Sequence, residues 1–89
     1  MAGAEPLCRR ALDGRERVLG LEHPETLGSV NNLALLLQAK GDLAAAEPLY
    51  RRALEGYRRV LGEEHPSTKI VAENHALCLE ELVKQAGLA

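Results

Sequence analysis

The 89-residue chain has no phenylalanine and no tryptophan, and only two tyrosines. Hydrophobic residues still make up 46% of it, enough for a packed core. That core must be built from leucine, valine and alanine, which suits closely approaching helices better than sheets. No long apolar run is present to span a bilayer. The opening MAGAEPLCRR lacks the apolar centre of a signal peptide, and its glycine stands third rather than second, against the myristoylation pattern. The net charge of −2 creates no strong field toward nucleic acid or an anionic membrane. Cys8 and Cys78 lie far apart with no spaced partners, the pattern of free thiols in a reducing compartment. Together these absences predict a soluble, cytoplasmic chain with neither a membrane nor a nucleic-acid partner.

What is present is a phrase said twice. AEPLCRRALDGRERVLGLEHP at 4–24 returns as AEPLYRRALEGYRRVLGEEHP at 46–66, a period of 42 residues. Extended to 4–37 against 46–79, the two copies agree at about 21 of 34 positions, including Thr26 with Thr68, Asn32 with Asn74 and Ala34 with Ala76. A period in this range is the signature of a helical array.

Punctuation divides each period into two helices. Gly20 and Gly62 follow apolar-periodic stretches as left-handed C-terminal caps. His23-Pro24 and His65-Pro66 place a proline at a helix start, where its missing N–H costs nothing. Gly41 and Asp42 form a C-cap followed directly by an N-cap. The abundance of Ala, Leu, Glu and Arg favours helix throughout. The expectation is an all-α chain, a single unit over 1–89, with helices at 3–19, 25–40, 43–61 and 67–86. Pro48 falls inside the third helix, where it should leave the carbonyl of Ala44 unpaired and loosen or kink the first turn; Pro6 repeats the anomaly.

Within VNNLALLLQAKGDLAAAEPLYRRAL the sequence places Val30, Leu33, Ala34 and Leu37 before Ala46, Tyr50 and Ala53. This spacing resembles the tetratricopeptide pattern, in which small residues let two helices approach and large ones fill the groove beside them. The 42-residue period is similar to that of the kinesin-light-chain type. The resemblance covers nearly the whole chain and implies an alpha-alpha superhelix of four antiparallel helices, in the order B, A, B, A. It also implies an interaction module for a protein or peptide partner. Asn31, Asn32, Leu35, Gln38, Glu73, Asn74 and Leu77 would line its concave side, with asparagines bonding the backbone of an extended peptide. Departures from the pattern are Val30 and Ala72 where an aromatic is common, and His75 in place of leucine. The inward Lys or Arg of a carboxylate clamp is absent, which disfavours a peptide bearing an acidic C-terminus.

Such a frame leaves both ends without a neighbouring helix. Leu7, Leu12 and Leu19 at one end and Leu77, Leu79, Leu82 and Val83 at the other should therefore be exposed. Leu7, Leu12, Leu79, Leu82 and Val83 are the candidates for self-association, giving a homo-oligomer, a subunit of a larger complex, or a piece of a longer array.

Other patterns point away from chemistry. Many of the arginines stand four residues after acids: Glu5 before Arg9, Asp13 before Arg17, Glu47 before Arg51, Glu55 before Arg59. That orientation supports a solvated helix face, with no interleaved aromatics for base stacking. His75 and Cys78 share a helix face, but no further residues are spaced to complete a four-ligand metal site, so core or interface roles fit them better. His23 and His65 are turn residues. With serine only at Ser29 and Ser67 and no phosphate-binding glycine loop, no catalytic constellation, cofactor or metal is expected.

Overall fold

The computed structural model describes residues 3–87. They form four helices, α1 (Ala4–Leu19), α2 (Pro24–Ala39), α3 (Leu43–Val60) and α4 (Pro66–Gln85), with no strand among them. Each helix packs on the next in chain order. The result is a slab of 43 × 34 × 15 Å. Its thin dimension is what two stacked helices occupy, about 8–10 Å between axes plus a Cα radius of about 2.3 Å on either side.

The helix ends follow from local chemistry. At the end of α2 the Gly41 N–H donates to the Gln38 carbonyl (3.0 Å) and the Asp42 N–H to that of Leu37 (2.8 Å). This is a Schellman closure, and it requires the left-handed φ of 87° that Gly41 supplies. Asp42 then caps α3, its Oδ1 accepting from the Ala45 N–H at 3.2 Å. Gly20 differs from the left-handed cap expected of it. Its φ of 92° is paired with an extended ψ of 166°, and it makes only the single bond from its N–H to the Glu16 carbonyl. The chain leaves α1 extended because it must run through Leu21 and Glu22 to start α2.

His23 and His65 have a definite task. In each, the imidazole Nδ1 accepts a backbone N–H at the start of the following helix, from Glu25 at 3.1 Å and from Ser67 at 3.0 Å. The two caps have nearly the same backbone angles, φ −66° and −65° with ψ 137° in both. Each satisfies one of the free donors of a helix N-terminus, and proline at the first position removes another.

The prolines are accommodated without breaking a helix. Pro6 is the third residue of α1, where the N–H would have had no partner in any case. Pro48 lies deeper, yet α3 runs unbroken through it. Both Ala44 and Pro48 are exposed, so the carbonyl that Pro48 leaves unpaired lies on the solvent side.

The core is concentrated in the central helix pair. Leu27, Val30, Leu33, Ala34 and Leu37 of α2 meet Leu43, Ala46, Tyr50, Ala53, Leu54 and Tyr57 of α3, while α4 adds Val71 and Cys78. From α1 only Leu12 belongs to it, 8% exposed. This corrects the expectation that Leu12 is open at the end of the array: it lies on the side of α1 that packs on α2. Leu82 is likewise partly buried against the core, whereas Leu7, Leu79 and Val83 are exposed.

Ion pairs lace the polar side. Glu5–Arg9 (2.9 Å), Asp13–Arg17 (3.1 Å) and Glu47–Arg51 (3.4 Å) form along single helices. Arg59 does not pair with Glu55; it reaches across to hold both carboxylate oxygens of Glu22 at 3.0 Å. The planar guanidinium makes a two-pronged contact with Glu22 that a neighbour one turn away on the same helix does not provide. Hydrogen bonds from Lys40 and Arg9 hold the Glu5 carboxyl below the usual carboxylate range, and Arg59 does the same for Glu22. No helix among the described residues is long and apolar enough to cross a membrane.

Candidate partner-binding face

The two helices α2 and α4 come side by side across the top of α3. The Asn74 side-chain amide donates to Asn31 Oδ1 at 3.4 Å, joining them. Beside this bond is a cleft of about 250 Å³, lined by Gly28, Asn31 and Asn32 from α2, Tyr57 from α3, and Ser67, Ile70 and Val71 from α4. Its floor depends on a glycine. A Cβ at Gly28 would stand 3.3 Å from the Tyr57 hydroxyl, which occupies that space in order to donate to the Pro24 carbonyl at 3.3 Å.

The residues expected on the concave side divide by what they touch. Asn31 and Asn74 are partly buried and joined by that one bond, whereas Asn32 is exposed. Leu35 and Leu77, one helical turn further along, are 43% and 55% exposed, and Glu73 is exposed beside them. Gln38 turns inward instead: its Oε1 accepts the Tyr50 hydroxyl at 2.5 Å. Ile70, Gly28, Ser67 and Tyr57 were not among the expected residues. Ile70 stands one turn before Asn74, and that spacing was the available signal.

The 42-residue period supplies an internal control on exposure. Leu35 and Leu77 occupy equivalent positions, and both are open although α2 has neighbours on either side and α4 only on one. Their exposure therefore belongs to the repeat itself. Leu37 and Leu79 behave oppositely, 3% against 42% exposed, because α3 packs on that side of α2 and no described helix packs on the equivalent side of α4.

Matches to known proteins agree with this geometry. The tetratricopeptide repeat family model matches residues 1–25 and 26–67. The chain belongs to the tetratricopeptide repeat family. No curated protein matches the sequence. The second match spans α2 and α3, the A and B helices of one complete tetratricopeptide repeat, and the first spans α1, a B helix. Tetratricopeptide repeats are typically protein–protein interaction modules without catalysis.

The chemistry of the cleft is neutral. It offers amide and hydroxyl groups from Asn31, Asn32 and Ser67 beside apolar surface from Ile70 and Val71. Burial raises the Tyr57 hydroxyl above its ordinary range, so it is un-ionised near neutrality. His75 is engaged elsewhere, its Nε2 lying 2.9 Å from Glu47 Oε2, and the buried Cys78 thiol donates weakly to the Leu43 carbonyl at 3.8 Å. Among the described residues no group of three or more His, Cys, Asp or Glu side chains is placed to hold a metal ion.

Proposed function

We propose that the face formed by α2 and α4 docks an extended segment of a protein partner. Asn32 meets the segment's backbone amides, the Ile70–Val71 cleft takes an apolar side chain, and Leu35 and Leu77 continue the apolar contact. The observation that carries this reading is the paired exposure of Leu35 and Leu77, which the repeat leaves open even where neighbouring helices are complete. Large apolar residues held in water beside a neutral, hydrogen-bonding cleft are the usual components of a peptide site. The absence of a cation lining the cleft favours an internal segment over a charged terminus.

A peptide library displayed on phage and selected against the wild-type chain tests the proposal. The bound sequences should be mapped by chemical-shift changes. The expected result is shifts at the Asn32 side-chain amide and the Leu35, Ile70 and Leu77 methyls, with Asn32→Ala and Leu77→Ala each weakening binding about tenfold, the equivalent of about 1.4 kcal/mol. Both positions are exposed, so these variants keep the fold. Selected peptides whose shifts map to another face, or whose affinity ignores both substitutions, would refute the assignment.

A further inference from the structure

The internal repeat also identifies surfaces that one copy buries and the other leaves open among the described residues. On α3, Ala53 is fully buried by α2, while its counterpart Ala11 on α1 is exposed. Leu49 is partly buried against the core, and its counterpart Leu7 is 62% exposed. On the other side, Ala34 is fully buried by α3, yet its counterpart Ala76 on α4 is exposed, as Leu79 is against Leu37. Around Ala76 and Leu79 runs an open apolar groove of about 530 Å³, completed by Glu80, Val83 and Lys84.

A glycine marks the matching surface on α1. Gly56 of α3 admits Leu27 so closely that a Cβ there would lie 2.6 Å from Leu27 Cδ2. Its counterpart Gly14 sits mid-helix in α1 with nothing within 4 Å of the same point. Glycine inside a helix costs roughly 0.5–1 kcal/mol relative to alanine. At Gly56 that cost admits a packed leucine; at Gly14 the same space is empty and faces outward.

We infer that a second copy of the chain fills these surfaces, its α1 lying in the α4 groove of the first and reproducing the α2–α3 contact between molecules. The two open faces of one chain are the two halves of an interface that the chain already builds internally. In this register Ala4, Cys8 and Ala11 take the places of Ala46, Tyr50 and Ala53 against Ala76, Leu79 and Glu80. Lys69 stands where Leu27 does, its stem against Gly14 and its ammonium reaching toward water. From the loop that follows α3, Glu64 meets Arg17 of the second copy as Glu22, in the loop after α1, meets Arg59 within the chain. Arg58 falls opposite Arg10, but Arg58 already carries Glu63 as its partner at 3.0 Å. Lysine for leucine and cysteine for tyrosine make this contact weaker than its internal counterpart, so association is reversible. The contact is head-to-tail, and it leaves an open face at each end for further copies.

Sedimentation equilibrium of the whole chain over a hundredfold range of concentration tests this, together with two half-blocked variants. Ala11→Glu blocks the α1 face and Leu79→Glu the α4 face, and both sites are exposed, so circular dichroism should show unchanged helix. The wild type is expected to gain mass with concentration. Each variant alone should stay at the 9.7 kDa monomer, and an equal mixture should form a dimer and stop there, since one intact face of each kind remains. A wild type that stays monomeric throughout would overturn the inference. So would Ala11→Glu that still dimerises alone, because that result means two α4 faces have met each other.

Discussion

One repeat position, glycine in both copies, predicts opposite consequences for the same substitution. Gly14→Ala places a methyl group where nothing lies within 4 Å, on the outward side of α1. It should gain the helix propensity of alanine, about 0.5–1 kcal/mol in the monomer. Gly56→Ala gains the same propensity but sets its methyl carbon 2.6 and 2.8 Å from the two Leu27 Cδ atoms. Leu27 is fully buried and cannot swing into solvent. Overpacking of this kind costs about 1–3 kcal/mol, so the net change is a loss of up to about 2.5 kcal/mol. The assay is urea and thermal unfolding followed by helical circular dichroism, at a protein concentration low enough to hold the chain monomeric. For a chain of this size each kcal/mol moves Tm by about 4–8 °C, so the two variants should separate clearly on either side of wild type. Equal shifts in one direction would refute the reasoning, because they would show that the Leu27 contact does not distinguish the copies. If the same Gly14→Ala protein associates less tightly than wild type at high concentration while unfolding at a higher temperature, the outward glycine is a contact site between copies.

Further outcomes follow from the same structure. Thr26→Val removes a hydroxyl that donates to the Arg15 carbonyl at 3.3 Å and should cost about 1 kcal/mol in urea unfolding. Thr68→Val removes the counterpart hydroxyl, which is buried with no partner among the described residues, and should be neutral or stabilising by about 1 kcal/mol. His23→Ala should cost about 0.5–1 kcal/mol through loss of the helix cap, and His23→Asn should recover most of it, both read by the same assay. Burial, and secondarily the Cys78 sulfur, push the Tyr50 hydroxyl up to about 12 from its ordinary 10.0. The unfolded chain releases that proton first, so the contribution is complete below pH 10 and is lost between pH 10 and 12, on the order of 2–3 kcal/mol. Tyrosinate absorbance should therefore appear together with unfolding, and Tyr50→Phe should show a shallower alkaline decline.

The helices were legible because each end is written in residues with one local meaning. Proline starts α2 and α4, glycine ends the helices with positive φ, and Asp42 caps α3. Packing was harder to read, because a period shows which positions are equivalent without showing which way either one faces. Leu12 and Leu7 both carry the apolar signal of α1, yet Leu12 turns to α2 and Leu7 to solvent. Gln38 was grouped with the concave residues by spacing, but the short distance to the Tyr50 hydroxyl draws it inward. Arg59 was paired with Glu55 by the rule for a single helix, and the across-helix partner Glu22 provided the better geometry. The cleft at Ile70 escaped for a further reason. A search for repeats finds positions where the copies agree, and this cleft is built where they differ, with Gly28 in α2 and Ile70 in α4.

That difference bears on how the two proposed faces relate. At equivalent positions an interior copy and a terminal copy share backbone and differ only in their neighbours. Residues open in both, Leu35 and Leu77, are open by design of the repeat and suit a partner that the array does not contain. Residues closed in the interior and open at the end, Ala76 and Leu79 against Ala34 and Leu37, suit another helix of the same kind. The two sets lie on different sides of α4: Asn74 bonds Asn31 beside the cleft and Leu77 follows it by one turn, whereas Leu79 and Val83 line the outer groove. Because α4 rests on α3 by a third face, through Val71 and Cys78, both surfaces can be occupied at once. Adding a copy at the α4 groove would set its own A helix beyond that of the first, prolonging the row of exposed leucines. Self-association then lengthens the peptide face instead of competing with it. A segment long enough to reach both copies would gain from the high local concentration of the second site.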